Sequence, residues 1–262
     1  MRALLAEIRR RDALLWGVGW LHVGLLALML VAALLDSRQV LGINPWIKPM
    51  KFASSITLYV WTVAWLLGDV RGARGARRTV SVTVAVSMVV EIACIALQSA
   101  RGTPSHFNDR TPFDGAVFSL MGTMIALNTL AALVLLVLLL VRAADRPRVY
   151  LWGARLGLLV FLGGSGVGQM MVGNGAHAVA VPDGGPGLPL VNWSTEGGDL
   201  RAAHMIGLHA LQVLLLVGYA LSRTRAGLGE RARLAALLAF AAVYAAVGHF
   251  LLYQALSGRP LF

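Results

Sequence analysis

Three side chains able to do chemistry lie at similar depth inside apolar runs. His209 and His249 are each seven residues from the end of a run, and Glu91 is nine residues from the end of another. Along a helix these are depths of about 10 Å and about 13 Å. An ionisable group inside lipid is costly and is a functional hypothesis by default. Neutral imidazoles with a carboxylate suit zinc or a similar divalent metal, and three protein ligands leave a position for an activated water. The expected metal set is therefore His209, His249 and Glu91, with Glu91, His106 and Asp183 as the candidates for acid–base catalysis. Two histidines at matched depth on different helices also suit bis-histidine ligation of one haem b, with Met121 or Met124 as an alternative axial ligand. His22 is deeper and reads as a packing or proton-relay residue.

Other polar residues are placed to line a substrate pocket around this set. Arg201, Met205, His209 and Gln212 follow helical spacing on one face, while His204 sits on a neighbouring face, so one helix cannot chelate through both of its histidines. Tyr253 is one turn from His249, Gln98 is two turns from Glu91, and Asn128 continues a stripe through Asp114, Met121 and Met124. His177 stands in the longest polar connection. Lys48 and Lys51 are the only lysines in a chain that otherwise uses arginine. Lys48 fits an interfacial ammonium, whereas Lys51 falls within a span and is the better pocket residue.

The elements that must position these residues are transmembrane helices. The 262 residues are 58% hydrophobic and 13% charged, with a mean hydropathy of +0.72, too apolar for a soluble domain. Seven runs are long enough to cross a hydrocarbon core of about 30 Å: roughly 13–35, 50–68, 79–100, 114–141, 149–172, 202–222 and 233–256. The expected fold is all-α, a single membrane domain over 1–262 in the form of a seven-helix bundle. The net charge of +11 belongs to short connections between apolar runs, so it reflects topology and not nucleic-acid binding. Fifteen basic residues fall at the N-terminus and in the connections 69–78, 142–148 and 223–233, against seven in the alternate set. This puts the N-terminus in the cytoplasm and the C-terminus outside, in a bacterial inner membrane, with the aromatic and histidine-bearing connections facing outward.

Several residues have local structural roles to fill. Asn44–Pro45 reads as a helix cap with proline following, and Thr111-Pro112-Phe113-Asp114 fits a capping box that makes Asp114 a cap. Asp199 is placed to cap the sixth span. The loop histidine His106 has no such role, being either solvated or convergent on a site. Gly164 and Gly168 form a small-xxx-small pair suited to close helix packing. Cys94 is alone inside an apolar run, which excludes an intrachain disulfide.

The strings NPWIKPMKF, RGTPSHFN, DGGPGLP and GDLRAAHMIGLHALQ resemble those of bacterial multi-pass membrane proteins with no assigned function, which implies seven spans and says nothing about activity. The seven-span zinc hydrolases of the alkaline ceramidase and adiponectin-receptor type also mix Ser, Asp and His near one membrane face. This chain departs from them, since its paired histidines are five apart in the sixth span, and neither HExxH nor a cysteine pair occurs. The leading expectation is a metal-dependent membrane enzyme with an outward-facing His/Glu pocket for a small or amphiphilic substrate. The alternatives are a single-haem b-type redox protein, or a carrier, channel or receptor in which Glu91 and His22 form a proton path.

Overall fold

A computed structural model describes residues 2–224 and 227–261; Arg225, counted above among the basic residues, lies outside them. The fold is all-helical. In chain order the described residues form α1 (Arg2–Arg11), α2 (Ala13–Leu35), α3 (Ile47–Leu67), α4 (Arg74–Ala100), α5 (Pro112–Val141), α6 (Arg148–Asn174), α7 (Leu200–Arg223) and α8 (Glu230–Leu256). Helices α2 to α8 are long and apolar enough to cross a membrane. Between α6 and α7, β1 (Ala178–Val179) and β2 (Gly198–Asp199) pair antiparallel, with Ala178 opposite Asp199.

The helices extend beyond the apolar runs where the flanking residues also favour helix. Helix α4 starts at Arg74 and α8 at Glu230, because Arg, Ala and Glu propagate a helix as well as Leu does. Helix α3 starts at Ile47 and not after Pro49. Proline is tolerated in a first turn, where its missing N–H has no partner to lose. Asn44 caps the preceding turn by accepting from the Trp46 N–H at 3.0 Å. Helix α1 was not expected from the charged N-terminus. It docks through Arg11, whose guanidinium lies 3.9 Å from the centre of the Trp65 ring and donates to Trp65 O at 2.6 Å. Asp12 then caps α2 through the Leu15 N–H at 2.9 Å.

The chain divides into two compact units, with the division falling inside α5. The first holds the residues up to Gly68, Arg74–Ala131 and Gly184–Asn192. Within it α2 packs on α3 and α3 on α4. Gly19 lets the Trp61 ring lie against α2, since a Cβ there would come within 2.0 Å of the indole nitrogen. Cys94, Ile95, Val117 and Met121 form a core cluster with Phe52 and Val90 against it. The segment Gly184–Asn192 is tied down by Lys51 Nζ, which donates to Leu190 O and Val191 O at 3.2 Å each, and by Asn192 Nδ2, which donates to Leu41 O at 3.1 Å.

The second unit holds Asp69–Ala73, Ala132–Asp183 and the described residues from Trp193 onward. Its centre is the α6–α7 contact. Lipid tails are as apolar as leucine, so association in a membrane depends on close packing. Small residues supply it here: a Cβ on Gly164 would lie 2.6 Å from the Gly207 carbonyl carbon, and one on Gly153 would lie 2.6 Å from Leu214 O. Tyr244 secures α8 by donating to Ile206 O on α7 at 2.7 Å. Buried Asp69 accepts from Arg146 Nε at 2.9 Å and from the Tyr150 hydroxyl, which ties segment 69–73 to the connection before α6.

Candidate functional site

The polar face of α4 is the least satisfied part of the first unit. Ser87, Glu91 and Gln98 are four and seven residues apart and so share one face; all three are buried. Gln98 is fully engaged, donating to Asp114 Oδ1 at 2.8 Å. Glu91 is only 2% exposed, and its Oε2 is buried without a hydrogen-bond partner; the hydroxyl of Ser87, 1% exposed, is in the same state. Hydroxyls in apolar helices usually bond back to the carbonyl one turn before. Thr57, Thr62, Thr129 and Ser165 do this, onto Ala53, Leu58, Ile125 and Phe161. Ser87 does not.

Glu91 Oε1 faces His106 Nε2 at 3.8 Å. That imidazole is delivered by the α4–α5 connection, which Asn108 holds in shape by donating to Thr103 Oγ1 at 3.0 Å and Pro104 O at 2.9 Å. Phe52, Phe107 and Phe118 surround the ring, with centres 5.8 Å, 6.1 Å and 6.0 Å away. His106 Nδ1 lies 3.1 Å from the Ser105 hydroxyl. With Nε2 turned to a carboxyl oxygen, the consistent tautomer carries its proton on Nε2 and accepts from Ser105 at Nδ1. Lys48 acts electrostatically on Glu91 from the start of α3. His22 of α2 places Nδ1 2.7 Å from Val18 O and Nε2 3.3 Å from Met88 O.

The remaining expected pocket residues of this unit serve the helix ends and core. Asp114 closes the capping box: its N–H donates to Thr111 Oγ1 at 3.1 Å, and its Oδ2 accepts from the Thr111 hydroxyl at 2.7 Å. Arg101 also donates to Asp114 Oδ1. Asn128 accepts from the Tyr59 hydroxyl at 3.0 Å. Lys51 holds the segment Gly184–Asn192.

In the second unit, His177 and Asp183 meet, with Nδ1 2.6 Å from Oδ2, and the Asp183 carboxylate also accepts from the N–H groups of His177 and Ala178. Burial pushes the Asp183 carboxyl up, but the hydrogen bond and charge of His177 and the two backbone N–H groups outweigh it. The net effect holds it well below the usual carboxylate range. Asp199 caps α7 through Arg201 N–H at 3.0 Å and pairs with the Arg201 guanidinium. His204 packs on Gly168 and meets Gly164 O through Nδ1 at 2.8 Å. His209 lies beside Gln212.

His249 and Tyr253 face away from the packed interior. His249 is exposed, with Nδ1 2.8 Å from Ala245 O, and Tyr253 is 73% exposed. The face of α8 turned inward carries Leu237, Ala241, Tyr244, Gly248 and Ala255. His249 is one residue, about 100°, off that face. Residue depth is readable from chain position, but helix rotation here is decided by Gly248 and Tyr244. Among the described residues no group of three or more His, Cys, Asp or Glu side chains is placed to hold a metal ion. The metal set His209, His249 and Glu91 therefore has no assembled counterpart, and nothing in the structure supports the haem.

The sequence gives no sign of Ser87, Phe52 or Phe118, and Lys48 reads there as an interfacial residue. A single serine in an apolar run carries no signal. The phenylalanines share only their nearness to a loop histidine in space. No protein-family model, curated protein or solved structure matches this chain.

Proposed function

We propose that the chain is an integral protein of the bacterial cytoplasmic membrane, N-terminus inside and C-terminus outside, whose first unit is a carrier-type centre that binds and releases a small cation or a proton at Glu91. The observation that carries this reading is the buried Glu91 carboxyl with an unpartnered oxygen inside an apolar helix. A buried carboxylate must be hydrogen-bonded, paired or neutralised. His106 at 3.8 Å is too far for a hydrogen bond. A bound proton or cation supplies what the protein does not, and its exchange is the function assigned here.

His106 is the exchange partner. Its Nε2 faces the carboxyl, its Nδ1 is set by Ser105, and it sits on a loop at the end of α4 that the charge distribution places outside. An imidazole in that position passes a proton between the loop surface and Glu91. The excess of basic residues in the other set of connections supports this orientation.

A hydrophobic carbodiimide, which reacts with protonated carboxyls, tests the centre in purified protein. The expected result is labelling at Glu91 that declines as pH rises and is absent in Glu91→Gln. Absence of label at every pH would overturn the proposal.

A further inference from the structure

Ser87 and Glu91 each leave an oxygen unpartnered and buried on the same face of α4, one turn apart. Side chains on a helix lean toward its N-terminus, and Ser87 is one turn before Glu91 in that direction. The Met88 carbonyl, next along the chain from Ser87, lies 3.3 Å from His22 Nε2. From this juxtaposition we propose a binding site for a small monovalent cation, sodium, held between Ser87 Oγ and Glu91 Oε2. The inference rests on the reading of Glu91 as an exchange centre and names its ligand.

Both donors are oxygen, which suits a hard cation and not a transition metal. One carboxylate neutralises one charge. A divalent ion would leave uncompensated positive charge in the apolar interior. The serine hydroxyl donates nothing to a carbonyl and keeps both lone pairs for a cation. Sodium and the proton then compete for a single carboxyl: the ionised form holds sodium between Glu91 and Ser87, and the protonated form releases it. Nearby titratable or charged groups are His106 facing Oε1, Lys48 from α3, Cys94 one turn along α4, and His22 from α2.

Carbodiimide labelling of Glu91 at fixed pH, with sodium chloride or choline chloride at equal ionic strength, tests the site. Sodium is expected to protect Glu91 and choline not. Ser87→Ala should still label but need at least about tenfold more sodium for protection, the loss expected for one oxygen ligand worth about 1.4 kcal/mol. Labelling that depends on pH and ignores sodium would overturn the sodium site while leaving the exchange centre standing. Sodium protection unchanged in Ser87→Ala would remove Ser87 from the site. A chain that never labels would refute both readings, and a retained helical circular-dichroism spectrum and a single size-exclusion peak would show that the variants fold.

Discussion

Among the described residues are two histidine–carboxylate pairs built to opposite ends. His177 and Asp183 are in contact at 2.6 Å, and the carboxylate is further saturated by two backbone N–H groups at the start of a long loop. Glu91 and His106 stand 3.8 Å apart, and one oxygen of the carboxyl has no partner. The first pair has each of its oxygens answered from its own loop, so its value is structural: it fixes β1 and the turn beyond it. The second is held in place by its surroundings and not by its own bond. Residue type does not separate a strut from a site; the completeness of hydrogen bonding does.

Removing Asp183 should have the largest effect on stability. Asp183→Ala takes away an acceptor used by one imidazole and two amides, a loss of about 3 kcal/mol, read as faster proteolysis of the 175–199 loop and a lower melting temperature in detergent. The pair should also tolerate acid. A carboxyl held below its ordinary value contributes stability that is complete above the unfolded value of about 4 and is lost only as pH falls through the lower folded value. Loop protection should therefore be level from pH 7 to about pH 5.

His106→Phe should come next. The ring fits the space among Phe52, Phe107 and Phe118, so stability should change by less than about 1.5 kcal/mol. Labelling of Glu91 should remain, since its buried, unpartnered Oε2 does not depend on the imidazole. The smallest stability effect belongs to Glu91→Gln, since no hydrogen bond is broken and the burden of a buried charge is removed. A large destabilisation in this variant would mean that Glu91 is a strut like Asp183, and the contrast between the pairs would collapse.

The seven spans were legible because an apolar run of sufficient length has few alternatives, and the Thr111–Asp114 and Asp199 caps because capping chemistry is local. Helix α1 was not, since ten residues with four arginines give no long apolar run and its docking depends on Trp65, far along the chain. For the candidate site, the weight placed on Glu91 came from its depth inside an apolar run beside those of His209 and His249, and His106 was left open between two fates. Its approach to Glu91 depends on how Asn108 folds a loop. The orphaned hydroxyl of Ser87 depends on a rotamer, which no spacing rule reports.

The α6–α7 contact carries a consequence for ancestry. Gly153, Gly157, Gly164 and Gly168 meet Leu214, Leu211, Gly207 and His204 so closely that any added Cβ would come within about 3 Å of the opposite helix. Surface leucines facing lipid can drift freely among apolar types, but these positions cannot accept bulk. Small residues at intervals of four, seven and four, answered by small residues at 207 and 218, are thus the part of this sequence that divergence erases last. A distant cousin is better sought by that spacing than by overall identity.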